Sequence, residues 1–180
     1  ASAQVRMTTS KALQLAFPGC SIKRTTVTLD KHKRTAIQKT CGQKFTKTMV
    51  FPYVAKRKGK LVGTAWFDVH KVRSKRQLLM VAVDPQHKVQ RVEVLAFAEP
   101  AKYAAPKRWL RKLDQQRLGG VRPGKDIPRI TGATLTVGAT TRCVQRVLAL
   151  HRVVFGAPPG ARPKPIKTPV PPRPKPRKTR

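Results

Sequence analysis

The stretch Thr131-Gly-Ala-Thr-Leu-Thr136, continuing without a break to Gly156, decides how the rest of the chain is arranged. Leu135, Ala139, Val144, Val147, Leu148 and Val153 recur at an approximately helical period, and Gly156 is a natural C-terminal stop. Thr131 is the expected N-cap, its hydroxyl accepting the N–H of Ala133 or Thr134, while Gly132 lets the backbone come close to whatever sits there. Thr136, Thr140, Cys143, Val144 and Val147 then fall on one stripe. Free N–H groups and the positive end of the macrodipole make such an entrance a place for an anion, usually phosphate. The same residues also read as an ordinary capped helix whose threonines bond back to the preceding turn.

Working outward, residues 8–17 read as a short helix capped by Ser10 and stopped by Pro18-Gly19. Residues 21–29 alternate as a strand, and Asp30 caps a basic helix running to Cys41-Gly42. Residues 49–56 and 60–70 form two strands around a Lys58-Gly59 turn; residues 77–83 and 88–97 form two more around Asp84-Pro85. Residues 100–106 are irregular, 107–117 a short amphipathic helix, and 119–128 a loop. Four consecutive strands predict an antiparallel meander. With an N-terminal helix and a long C-terminal helix as its cover, this is an α+β fold in which one sheet face is covered, chiefly by the final helix, and the other is wet.

Residues 1–156 form one domain with room for a real core. Residues 157–180 hold nine prolines interleaved with Lys and Arg, a composition that reads as an extended polyproline II or disordered tail. No apolar run is long enough to span a membrane. Ala1-Ser2-Ala3 has the small-residue look of a cleavage site, which fits an exported protein whose signal peptide has been removed.

Forty basic residues against seven acidic ones give a net charge of +33 and a pI near 11.7. Such a charge suits a polyanionic partner, whether nucleic acid, anionic membrane surface or acidic protein, or else keeps the protein soluble in an unusual milieu. Ten aromatics, mostly where core is expected, and the lack of a nucleic-acid motif argue against the first of these. The three cysteines form no Cys-x-x-Cys and no His/Cys cluster in sequence, so haem c, zinc and iron–sulfur ligation are unsupported. Cys20 and Cys41, each beside a glycine at a helix end, could close a disulfide worth about 3 kcal/mol or stay free; Cys143 reads as core. No Gly-x-Ser-x-Gly, Walker loop or carboxylate pair offers hydrolytic or nucleotide-driven chemistry, and no catalytic residue is assigned.

Thr131-Gly-Ala-Thr-Leu-Thr136 resembles the (Ser/Thr)-Gly-Ala-(Thr/Ser)-x-Thr flavinylation motif of the FMN-binding domain family. That family includes the C subunit of the sodium-pumping NADH:quinone oxidoreductase, the G subunit of the Rnf complex and the periplasmic domain of the nitrous oxide reductase accessory flavoprotein. Lys11-Ala-Leu-Gln-Leu-Ala-Phe-Pro-Gly19, Gly59-Lys-Leu-Val-Gly63 and Phe97-Ala-Glu-Pro100, followed by Trp109-Leu110, resemble further family segments in the same order. The resemblance implies a periplasmic electron-transfer flavoprotein with FMN joined by a phosphoester to Thr136 through the action of an FMN transferase. It implies Thr131, Gly132, Ala133, Thr134 and Leu135 near the phosphate, Glu99 and Pro100 near the ring, and a membrane-bound redox complex or acidic redox protein as partner. Pro128 stands where relatives usually carry Asp, with Asp126 two residues earlier, and Arg129 is placed to serve as a counter-charge to phosphate. A flavin-free basic subunit of the same fold and a nucleic-acid-binding protein are the alternatives.

Overall fold

In the chain's meander, turn chemistry sets the register. Lys58 and Gly59 both adopt positive φ (48° and 76°), the twist that a two-residue hairpin needs, and they join β5 (Tyr53–Arg57) to β6 (Lys60–Lys71). The Asp84 carboxylate accepts the amides of Gln86 and Lys88, both at 2.9 Å, and so closes the turn between β7 (Arg76–Val83) and β8 (Val89–Phe97). The computed structural model describes residues 4–122 and 124–156. The expected tail at 157–180 lies outside them.

All sheet pairings are antiparallel, and the six-stranded sheet has the order β1-β8-β7-β6-β5-β2, with β1 (Gln4–Val5) and β2 (Ser21–Arg24) at its edges. The single strand expected over 21–29 is instead two: β2 joins this sheet, and β3 (Val27–Thr28) pairs separately with β4 (Met49–Val50). The chain breaks at Thr25, whose amide turns to the carbonyl of Pro52.

Alternation along β7 builds two cores. Leu79, Val81 and Val83 point to the face covered by α4 (Thr134–Phe155), while Met80 and Ala82 point to the other. That second face is not wet as expected. It is covered by α1 (Thr9–Ala16), which brings Ala12, Leu13, Ala16 and Phe17 down on Ala55, Ala65 and Leu95. Thr8, not Ser10, caps α1 by accepting the Lys11 amide at 3.2 Å. Asp30 caps α2 (Lys31–Cys41) as expected and Gly42 ends it at φ 67°; α2 then packs on α4.

Close approach of α1's end to the sheet depends on Gly63. A Cβ there would lie 2.8 Å from Phe17 Cε1 and 2.8 Å from the Val83 carbonyl oxygen, the latter fixed in the β6–β7 ladder. Gly63→Ala is therefore expected to destabilise by about 1–3 kcal/mol, read as a lower urea midpoint with an unchanged m-value.

Beneath the last turns of α4, His151 is 2 % exposed, and its Nδ1 lies 2.9 Å from Thr64 Oγ1, which also accepts the Trp66 indole N–H at 3.2 Å. Burial, reinforced by the neighbouring His87, pushes the His151 pKa down to about 3. Unfolded, the same ring titrates near 6.5, so the unfolded chain takes up the proton first and stability falls as pH drops from about 6.5 towards 3. Wild type is expected to lose about 1.5 kcal/mol between pH 6.5 and 5, above the range where carboxylates titrate, and His151→Phe to flatten most of that slope in urea titrations at each pH.

Candidate functional site

The sequence expectation that α4 begins at a Thr131 cap is corrected by the backbone. Gly132 turns the chain at φ 81°, and the Ile130 carbonyl accepts both the Ala133 amide at 3.1 Å and the Thr134 hydroxyl at 3.0 Å. The helix starts at Thr134 with Ala133 as N-cap, and no side chain caps it. Its first internal bond runs from the Val137 amide to Ala133 O at 2.9 Å. The N–H groups of Thr134, Leu135 and Thr136 thus lack a protein partner among the described residues, an anion-attracting end for a helix of 22 residues.

A cleft of about 180 Å³ opens at this end, lined by Gly132 to Thr136 with Arg73, Glu99 and Tyr103. Arg73 comes from the turn that follows β6; Glu99 and Tyr103 come from the strap that follows β8. Thr136 forms the inner wall. It is 2 % exposed, and its hydroxyl donates to the Tyr103 carbonyl at 2.5 Å, so the strap holds the hydroxyl turned inward. Leu135, expected on the apolar stripe, is 56 % exposed at the rim.

Glu99 holds the strap to the sheet. Its Oε1 accepts the amides of Ser74 at 2.6 Å and Lys75 at 2.7 Å, and both its oxygens accept from the Ser74 hydroxyl. These bonds, the Lys75 and Ser74 amides foremost, hold its carboxyl below the usual range. Arg73 lies 5.3 Å from the Tyr103 ring centroid with Lys102 at 5.2 Å, and the nearby Arg73 guanidinium lowers the phenol pKa, helped by the Lys102 charge.

Other sequence-chosen residues are elsewhere. Thr131 and Pro100 flank the cleft in sequence without lining it, and Arg129 folds back on its own loop, its Nε 2.8 Å from where a Gly124 Cβ would stand. Asp126 is held by Arg122 through bonds of 2.5 and 3.0 Å, so it does not replace the carboxylate missing at Pro128. Trp109, buried as expected, donates its indole N–H to the Pro128 carbonyl at 2.7 Å and so anchors the loop before α4. Cys20 and Cys41 are both free and half-buried, without the disulfide weighed for them; each thiol faces a nearby backbone carbonyl.

The cleft gathers the start of α4, the Glu99 strap and the hydroxyl of Thr136, and residues 78–149 match the family model of the FMN-binding domain. This segment belongs to that family. Among curated proteins, nothing matches the chain.

The FMN-binding segment runs from β7 into the last turns of α4 and takes in Glu99, Tyr103 and Thr131 to Thr136. Its cleft suits the phosphate end of FMN: three unpartnered amides, the positive helix end and the Arg73 guanidinium converge there. At about 180 Å³ it is smaller than the roughly 300–1,000 Å³ of pockets that enclose a drug-sized ligand, so it does not enclose a tricyclic ring. Arg73 and Tyr103 escaped the sequence reading because a lone Arg in a basic turn and a Tyr in an irregular segment carry no periodic signal.

A second polar cluster was also missed. Asp68, His70 and Cys143 place one ligand atom each within 4.8 Å of one another, a set of a kind that holds zinc or copper. Arg146 already donates to Asp68 at 2.7 Å and Lys47 stands 3.7 Å from the same carboxylate. Two cations thus occupy the side from which a metal would be neutralised, and burial, then the Asp68 charge, pushes the Cys143 thiol well above its ordinary value. The cluster reads as an internal ion-pair network.

Proposed function

We infer that the protein is an electron-transfer flavoprotein whose FMN is esterified through its phosphate to Thr136. The observation that carries this is the meeting, in one cleft, of the Thr136 side chain, the uncapped start of α4 and Arg73. FMN, when bound, supplies one- and two-electron transfer. The chain's part is positional. The amides of residues 134–136 and Arg73 would hold the phosphate, the Glu99 staple would keep the strap in register, and Leu135 would offer an apolar contact at the rim.

Esterification requires Thr136 Oγ1 to give up its bond to Tyr103, so the strap of residues 100–104 must shift outward while Glu99 stays anchored. Positive charge around the cleft would favour a reduced, anionic flavin and raise its potential. The strongly basic surface would steer docking on an acidic redox protein, a membrane-bound redox complex or an anionic membrane surface, at a rate that falls as salt screens it. An FMN transferase acting outside the cytoplasm would supply the modification from a flavin dinucleotide, whose pyrophosphate bond breaks as the Thr136 Oγ1–phosphorus bond forms, releasing the nucleoside monophosphate and the hydroxyl proton.

A flavin-free basic subunit of the same fold is the second reading, favoured by the enclosed Thr136 hydroxyl and by Pro128. The full chain produced together with an FMN transferase and run on a denaturing gel decides between them. A band fluorescing under ultraviolet light is the expected result; a dark band supports the flavin-free subunit.

A further inference from the structure

The chain carries a larger cavity than the one at Thr136, at the opposite end of α4. β5 pairs with β6 only as far as Tyr53 against Ala65, whereas β6 continues to Lys71 with β7 as its one neighbour. Pro52 explains the gap: it precedes β5, and before it the chain swings away through Phe51, so that β4 pairs with β3. A notch of about 450 Å³ results along Trp66, Phe67 and Asp68, within the size range of small-molecule sites.

Residues from both sheet faces line this notch, as expected of a cavity at a strand edge. Trp66, Val147 and Leu150 come from the α4 face; Tyr53, Phe67 and Leu78 come from the α1 face. Tyr53 and Phe67 meet edge to face at 5.3 Å. Across from them Phe51 is 41 % exposed and Met49 52 %, two large apolar side chains on one rim. The charges are lopsided. Arg24, Lys47 and Arg146 face a single carboxylate, Asp68, which Arg146 already pairs. Arg24 lies 4.5 Å over the Phe51 ring and has no carboxylate partner among the described residues.

We propose that this notch is a second binding site, for a small planar aromatic anion whose ring lies between Phe51 and the Tyr53–Phe67 pair and whose charged group meets Arg24 and Lys47. Aromatic walls select a flat apolar body, and the surplus of cations selects its charge. The edge of β6 beyond Ala65 has no backbone partner among the described residues and offers amide and carbonyl groups to orient the ligand. The chain's own 157–180 segment is a poor occupant, since its eight basic residues and no acid would meet a cationic notch. The site does not depend on flavin at Thr136, because Val147 stands eleven residues further along α4, about 16 Å away.

Naphthalene-2-sulfonate titrated into the isotopically labelled full chain tests the site by amide chemical shifts. The expected result is saturable shifts gathered at the Trp66 indole and the amides of residues 47–51 and 66–70, unchanged in Thr136→Ala. A neutral naphthalene alcohol is expected to bind about tenfold more weakly, and Phe51→Ala with Arg24→Gln, both at exposed positions, to weaken the sulfonate about as much. Shifts scattered over the basic surface, or unaltered in the double variant, would overturn the proposal. So would an alternating acidic peptide that gives the clustered shifts where the sulfonate does not, which would make the notch a strand-docking edge.

Discussion

Thr136→Ala is expected to remove covalent flavin completely, while Thr134→Ala leaves it in place. The two hydroxyls sit two residues apart, on nearly opposite sides of the helix, and their surroundings differ. Thr134 is exposed and donates back to the Ile130 carbonyl, a local bond that satisfies it within its own turn. Thr136 lines the cleft, and its bond crosses to the Tyr103 carbonyl, on a strap outside the helix that can withdraw. Losing that bond should cost about 1 kcal/mol of stability, small enough for the variant to fold. Fluorescence of the denatured band and the intact mass of both variants, each made alongside an FMN transferase, check this. A fluorescent Thr136→Ala band would place the attachment on another residue.

The meander was legible because its strands alternate and its turns carry Lys58-Gly59 and Asp84, signals that act within a few residues. The long helix was legible too, since an apolar period sustained from Val137 to Val153 has no other solution. Where the reading slipped, a tight turn or a long-range partner had overridden the expected local rule. Thr131 is a good cap by type, yet the turn at Gly132 delivers the Ile130 carbonyl to Ala133 and Thr134 and moves the helix start two residues on. Glu99 was placed near the ring, and it does line the cleft, but its carboxylate is held by the amides of Ser74 and Lys75, 25 and 24 residues away in sequence. The wet sheet face failed for a related reason. Ala55, Ala65 and Ala82 look too small to demand cover, but small side chains are what let α1 pack so close.

Asp68→Leu is expected to be the most destabilising single change, at about 3–5 kcal/mol. Burial alone would raise this carboxyl; the hydrogen bond from His70 and the charge of Arg146 outweigh it and hold the group well below the usual carboxylate range. Its Oδ1 takes Arg146 at 2.7 Å and His70 at 3.1 Å, and the Asp68 and Arg146 side chains are only 9 % and 19 % exposed. Removing the acid strands the guanidinium in a half-buried site with only the Gln43 side-chain oxygen, at 2.9 Å, to receive it. The damage arises from that unpaired charge, not from the loss of a strong bond. Asp68→Leu combined with Arg146→Met should therefore recover most of the lost stability, because two apolar groups of similar size need no counter-ion. Urea unfolding of both singles and the double gives the coupling directly: additive losses would mean that the ion pair holds nothing together, whereas a double close to wild type would show that the pair is kept for a reason other than stability.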